Sequence, residues 1–351
     1  MRILQLNFER GWRGGERQTL YCMRQFRDAG HEVALLARAG GALAARARDE
    51  GFEVIEQASL PGVCAYLLRH GRRFNILHAQ TANMMTWLAA LKPILGGAPI
   101  VFTRRTAFEV KHRESRTAWK WRKADVLVAI SQAAAGEPRR LGLEVVVIPS
   151  AIEPKPVNQA HVDRIRAQFD LARRKVLATA AALTPDKDPL TLIRAVHVLR
   201  ELRSDFVFLH CGGGGAVEAQ ARQLVRELGL EKHYLFGGFQ AGIEDIYRIM
   251  DGFVISSRSE ALGSSVLDAF LYRVPVASTD AGGLKEVLDQ GRGLLCPVGD
   301  HEALGKAMHQ LLDDPSLCAA MVEKAYTYVR AEHDVEIMGQ RYLEQFARLL
   351  P

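Results

Sequence analysis

Ser256–Phe270 reads SSRSEALGSSVLDAF: two carboxylates, Glu260 and Asp268, with seven residues between them that include a Gly-Ser-Ser turn. An apolar run, DGFVIS, precedes the segment and another, VPVAS, follows it. Apolar run, glycine turn, amphipathic stretch and apolar run spell strand, turn, helix and strand. A strand that returns through a helix to a second strand belongs to a parallel sheet. Both acids then lie near the end of that sheet where strands give way to helices.

Working outward, the same alternation fills the chain. RILQL, EVALLA, EVIE, NILHA, PIVFT, DVLVAIS and VVVIPS alternate with longer amphipathic segments up to residue 150. PSAIEPKPVNQ, with three prolines, reads as a linker, after which KVLATAA, FVFLHC, HYLFGG, GFVIS, VPVAS and GLLCP restart the pattern. The expected fold is α/β: two Rossmann-like parallel-sheet domains facing across a cleft, covering residues 1–154 and 155–334 with the boundary falling between about 150 and 158. The tail, VEIMGQRYLEQFARLL, carries apolar residues at helical spacing; residues 335–351 are expected to pack back as a last helix.

A chain of 351 residues with 48% hydrophobic composition can bury two cores. The five cysteines, Cys22, Cys64, Cys211, Cys296 and Cys318, are dispersed and include no Cys-x-x-Cys pair, which argues against a disulfide framework or a thiolate metal site. MRILQLN lacks the apolar length of a signal-peptide core, and no segment approaches the roughly 18–20 apolar residues of a membrane span. The expectation is a cytoplasmic protein. A net charge of +6 leaves room for an anionic partner, whether a phosphate-bearing substrate, an acidic membrane surface or nucleic acid.

In open parallel sheets ligands sit beyond the carboxyl ends of the strands, so the loops there hold the candidate residues. After the first strand come Gly14, Gly15 and Glu16, without the Gly-x-Gly-x-x-Gly spacing of a dinucleotide fingerprint. The fourth strand ends at His78, Gln80 and Thr81. The fifth runs into TRRTAFEVKHRESRTAWKWRKAD, where Arg104, Arg105 and further cations outnumber Glu109 and Glu114, with Trp119 and Trp121 interleaved. A solvated helix face accounts for part of that excess; binding of an acidic acceptor or membrane surface accounts for the rest. In the second half, Lys187 sits between strand and helix where it can neutralise a diphosphate, and Gly212–Gly215 let the chain pass close to a base or phosphate.

The opening segment supplies the remaining parts of a nucleotide-sugar site. Amides of Gly263, Ser264 and Ser265 at a helix N-terminus suit a diphosphate. Asp268, one turn in, suits ribose hydroxyls, and Glu260, before the turn, suits those of the sugar.

Assembled, these residues resemble glycosyltransferases of the GT-B fold and the family 4 (group 1) type over nearly the whole chain. The strongest link is the Glu-x7-Glu motif, here Glu260 to Asp268, followed by VPVASTDAGGLKEVL with Gly282, Gly283 and Glu286. GGERQ, AGHEVALLA, ISQAAAGEPRRLGL leading to VVVIPSAIE, and LTPDKDPLTLIRA support it. The resemblance implies retaining sugar transfer from a nucleotide-diphosphate sugar, a uridine diphosphate sugar being favoured, without a catalytic metal or other cofactor. It implies Glu260, Lys187 and His78 as catalytic residues. Donor binding is expected from Gly15, Lys187, Gly212, Gly213, Arg258, Glu260, Gly263, Ser264, Ser265 and Asp268, and acceptor binding from Gly14, Glu16, Gln80, Arg104 and Arg105. The acceptor is expected to be an anionic or lipid-linked glycan of lipopolysaccharide or another surface polysaccharide, met at the inner face of the plasma membrane, with no nucleic-acid partner. Three positions depart from the family pattern: Asp268 replaces Glu, Ala182 replaces a phosphate-binding arginine, and Gln80 replaces a histidine. Arg258, Arg104 or Arg105 are the candidates to replace the missing arginine. Two alternatives stay open: a nucleotide-sugar 2-epimerase on the same fold, and a noncatalytic protein that binds anionic ligands.

Overall fold

Each of the thirteen apolar runs becomes a strand in the computed structural model, which describes residues 1–350. The chain divides into one unit of Met1–Ala151 with the described residues from Glu332 onward, and a second of Ile152–Ala331.

The first unit contains β1 (Arg2–Asn7), β2 (Glu32–Arg38), β3 (Glu53–Gln57), β4 (Ile76–Ala79), β5 (Ile100–Arg104), β6 (Val126–Ala129) and β7 (Val146–Val147). They form one parallel sheet in the order β3-β2-β1-β4-β5-β6-β7, with Ile3 paired to Val33 on one side and Ile76 on the other. Helices cover both faces, so the central strands are mainly apolar, with Gln5, Asn7 and His78 as buried polar exceptions. Leu4, Leu6, Leu77 and Phe102 enter one core, while Ile3, Ile76 and Val101 enter the other, as the two-residue period of a strand requires.

The second core also receives the tail. Met338, Tyr342 and Phe346, four residues apart on the helix Val335–Ala347, bury against Cys22 and Phe26 of the helix Gly14–Asp28. The ring centroids of Phe26 and Phe346 lie 5.2 Å apart. Gly339 permits this approach, because a Cβ there would fall 2.6 Å from Gln25 Cβ.

The second unit contains β8 (Lys175–Ala180), β9 (Phe206–Cys211), β10 (Tyr234–Gly238), β11 (Gly252–Ile255), β12 (Val276–Thr279) and β13 (Leu294–Cys296). All pair in parallel in the order β10-β9-β8-β11-β12-β13. In each unit the strand order reverses beside the first strand, at β1/β4 and at β8/β11. Those two reversals open crevices at the carboxyl ends of the strands, and every loop named from the sequence lies beside one of them.

Candidate functional site

In the second unit the loop leaving β11 is tied to the loop that follows β8. Ser256 Oγ donates to the carbonyls of Lys187 and Asp188, both at 2.9 Å, and Arg258 N donates to Asp186 O at 2.8 Å. The two loops are therefore bonded to each other, and their functional side chains meet: Lys187 Nζ pairs with Glu260 Oε1, both side chains largely buried. Ser257 Oγ donates to the same carboxylate oxygen at 3.1 Å, and Ser257 is itself held by Thr279 Oγ1, which donates to its carbonyl at 2.7 Å.

Glycines fix the backbone of Glu260. Gly283 N donates to Glu260 O at 2.9 Å, and a Cβ on Gly282 would lie 2.3 Å from that oxygen. A Cβ on Gly283 would lie 2.3 Å from Ala261 O. Only glycines allow the turn after β12 to lie flat on the Glu260–Ala261 backbone. Gly263 is the left-handed residue (φ +87°) that opens the helix Ser264–Leu271. The first-turn amides of this helix lack intrahelical acceptors and can hold an anion. Asp268 follows one turn later, half-buried.

Beside this loop, Gly212 (φ +133°) and Gly215 (φ +139°) press so close to the preceding loop that a Cβ would meet Ala181 O at 2.0 Å and Leu183 O at 2.1 Å. A cavity of about 270 Å³ opens there, lined by Ala181, Ala182, Gly212, Gly213, Gln240 and Phe239. Phe239 stands 82% exposed. His210 braces the wall, with Nδ1 2.6 Å from Tyr234 Oη and Nε2 3.0 Å from Ala181 O. Burial holds its pKa down at about 4. Arg258 Nε donates to Asp188 Oδ2 at 2.7 Å while most of the side chain stays exposed.

In the first unit Gly15, Glu16, Gln80, Arg104 and Arg105 line one cavity of about 320 Å³ at the carboxyl ends of β1, β4 and β5; Gly14 does not line it. Several of these side chains are already committed. Glu16 accepts from Arg13 N at 2.9 Å and from Asn7 Nδ2 at 3.4 Å, closing the start of its own helix. Gln80 donates to Gln5 Oε1 at 2.8 Å and accepts from Arg105 Nη2 at 2.6 Å.

Two expectations need correction. Arg104 is not an open anion ligand: it is buried and donates to the carbonyls of Ala134 and Phe108. His78 is not a site residue. Its ring is wholly buried between Gln5 (3.2 Å), Thr103 Oγ1 (2.8 Å) and the Tyr342 ring, whose centroid lies 5.1 Å away. Burial first, and the charge of Arg105 second, lower its pKa to about 3, so it is a neutral core residue that ties the tail helix to the sheet. A strand-end histidine gives no sign in sequence of which face it takes. Ser257 and Asp188, which position Glu260 and Arg258, were absent from the sequence reading: Asp188 meets Arg258 across 70 residues, and Ser257, three residues from Glu260, is held in place by Thr279 from the next strand.

Among the described residues no cluster of three His, Cys, Asp or Glu side chains is arranged to hold a metal ion, and no helix is long and apolar enough to cross a membrane.

Residues 12–156 match the model of Glycosyltransferase Family 4, and residues 162–328 match that of Glycosyl transferases group 1. Among curated relatives, the 2-deoxystreptamine glucosyltransferase of Streptomyces kanamyceticus is 26% identical over 66% of this chain and 62% of its own length. The lipopolysaccharide core biosynthesis glycosyltransferase LpsE of Rhizobium meliloti is 29% identical over 52% of this chain and 53% of its own. The chain thus spans about half to two-thirds of the length of these relatives. In fold it is similar to Anabaena Alr3699/HepE, crystallised with UDP and glucose, with a TM-score of 0.86, 21% identity and 99% of both chains covered.

Proposed function

We propose that this chain, which belongs through its two halves to the glycosyltransferase family 4 and group 1 families, moves a sugar from a nucleotide-diphosphate sugar to an anionic or lipid-linked glycan acceptor, with retention of configuration and without a catalytic metal. The observation that carries this reading is the Lys187–Glu260 pair beside the Gly263 helix start. It sets a cation, a carboxylate and open helix amides side by side, the three groups a sugar diphosphate calls for. That a relative acts in lipopolysaccharide core biosynthesis supports a surface glycan as product, and UDP and glucose in the structurally similar HepE support a uridine diphosphate sugar as donor.

In this reading the diphosphate docks on the Gly263, Ser264 and Ser265 amides, with Asp268 on the ribose and the Gly212–Gly213 cavity around the base. Lys187 turns from Glu260 to the leaving phosphate, whose developing charge it stabilises in the transition state. Glu260, released, accepts hydrogen bonds from the donor sugar and orients it. The departing phosphate oxygen takes the proton of the incoming acceptor hydroxyl on the same face, so the anomeric configuration is kept. Arg258, hinged on Asp188 and exposed, supplies the charge that Ala182 lacks.

The same reading places the protein at an anionic membrane surface. Phe108 and Trp119 stand 62% and 51% exposed within the segment that carries Lys111, Arg113, Arg116 and Lys123. Apolar anchors among cations suit the headgroup region of an acidic bilayer.

The test is thermal denaturation with uridine, guanosine and adenosine diphosphate sugars, since a ligand that binds the folded state raises Tm by mass action. One class is expected to raise Tm, by less in Arg258→Ala. No rise with any class sinks the reading, and an unchanged rise in Arg258→Ala removes that residue from the site.

A further inference from the structure

Arg292 is 8% exposed, and the oxygens that hold its guanidinium are uncharged. Nε donates to Val287 O at 2.7 Å, Nη2 to Glu286 O at 2.8 Å and Nη1 to Gln290 Oε1 at 3.1 Å. Its guanidinium carbon lies 4.0 Å from the ring centre of Tyr328, on the helix Pro315–Glu332. The chain reaches this position by turning back through two left-handed residues, Gln290 (φ +58°) and Gly291 (φ +74°). Gln290 holds a conformation that disfavours a side chain, and its own amide oxygen is one of the three acceptors.

The two carbonyls belong to the end of the helix Gly283–Leu288. A helix of six residues leaves most of its carbonyls without an intrahelical donor, and water or a glycine cap ordinarily serves them. Burying a cation against uncharged acceptors is a costly way to end a helix. The fork accounts for it: two side-by-side N–H bonds to successive carbonyls fix the helix in both translation and rotation, which the single ammonium of a lysine cannot do.

The other end of this helix carries the loop that holds Glu260. Gly283 N donates to Glu260 O at 2.9 Å. Leu284, wholly buried, packs so tightly that a Cβ on Gly263 would lie 2.5 Å from its Cδ2. A helix loosened from Arg292 and Tyr328 would therefore shift the carboxylate that pairs with Lys187.

We propose that Arg292 is a positioning residue of the donor site, bracing the helix Gly283–Leu288 against Tyr328 and so fixing Glu260 through the Gly283 amide. The proposal rests on the sugar-transfer reading and adds to it a residue that acts through Glu260 rather than on the donor.

The test is a double-mutant cycle, read as release of nucleoside diphosphate from whichever uridine, guanosine or adenosine diphosphate sugar raises Tm. Arg292→Lys is expected to lower kcat about tenfold while the free nucleoside diphosphate, which has no sugar for Glu260 to orient, binds by calorimetry as it does to the parent. In a Glu260→Ala background the same substitution is expected to change kcat by less than about twofold, because there is no carboxylate left to misplace. Parent-like turnover of Arg292→Lys overturns the proposal. So does a loss that multiplies with that of Glu260→Ala, the mark of general loosening. Tyr328→Leu keeps every hydrogen bond of Arg292 and serves should Arg292→Lys fail to fold; it is expected to lose about threefold with the same dependence on Glu260.

Amide hydrogen exchange gives a readout that needs no donor. The Gly283 amide is expected to exchange about tenfold faster in Arg292→Lys while the amides of β8 keep their parent rates; an unchanged Gly283 rate overturns the brace. If no donor raises Tm and Gly283 still responds, the transfer reading fails and the brace stands. If a donor is turned over and Gly283 is silent, the brace fails and the transfer reading stands.

Discussion

Lys187 Nζ rests against Glu260 Oε1, joining residues 73 apart in sequence, and Ser257 Oγ shares that carboxylate oxygen. The charges that the proposed reaction needs at opposite ends of a donor neutralise each other in the chain alone. Donor binding then exchanges one ion pair for two contacts to the ligand, so neither group enters the site as an isolated buried charge.

Replacing the carboxylate tests this exchange. Glu260→Ala is expected to lower kcat about 10²–10³-fold in an assay of released nucleoside diphosphate, the loss typical of one transition-state contact. Lys187→Met is expected to fall in the same range and to weaken donor binding as well. Turnover of Glu260→Ala close to that of the parent would falsify the assigned role.

The glycines under Glu260 make a structural prediction. Gly282→Ala drives a Cβ into Glu260 O and is expected to cost about 2–3 kcal/mol in urea unfolding. Gly11→Ala, whose Cβ meets nothing within 4 Å, is the control and is expected to change stability by less than about 0.5 kcal/mol. Equal effects at the two positions would show that the close approach is relieved at little cost.

His78 makes stability depend on pH. Its pKa is depressed from 6.5 to about 3 in the folded chain, so below pH 6.5 the unfolded state binds the extra proton. The stabilisation is complete above pH 6.5 and is lost as pH falls from there towards 3, by about 2 kcal/mol between pH 7 and pH 5. His210, held at about 4, adds to the same slope. His78→Gln is expected to flatten the fall in unfolding free energy over this window while His210 keeps part of it. A variant with the slope of the parent contradicts a neutral buried His78.

Membrane docking is checked with vesicles of equal parts phosphatidylglycerol and phosphatidylethanolamine. Co-sedimentation of the parent is expected to weaken as salt rises, because the cations of the 104–123 segment are screened. The double substitution Phe108→Ser with Trp119→Ser is expected to lower binding about tenfold at constant charge. Parent protein that stays in the supernatant at low salt removes this surface from consideration.

The thirteen strands were legible because a strand covered by helices on both faces is written as a short, mainly apolar run, a signal that needs no partner to be read. The same holds for the tail: Met338, Tyr342 and Phe346 mark one helical face whatever lies against it. The glycine clusters at 212–215 and 282–283 were legible as turns, but what they turn around was not. The Glu260 and Ala261 carbonyls that exclude a side chain from Gly282 and Gly283 come from another loop.

By itself, then, the sequence determined two parallel sheets, their order along the chain, and the loops in which chemistry is to be sought, since each depends on local periodicity and turn chemistry. Tertiary structure alone decided which of those loop residues act together. It closed His78 into the interior, tied Arg104 to two backbone carbonyls, and joined Lys187 to Glu260. The physical reason is that a side chain's face, partners and solvation are set by strands and loops distant in sequence, and one residue of register exchanges a buried position for an open one.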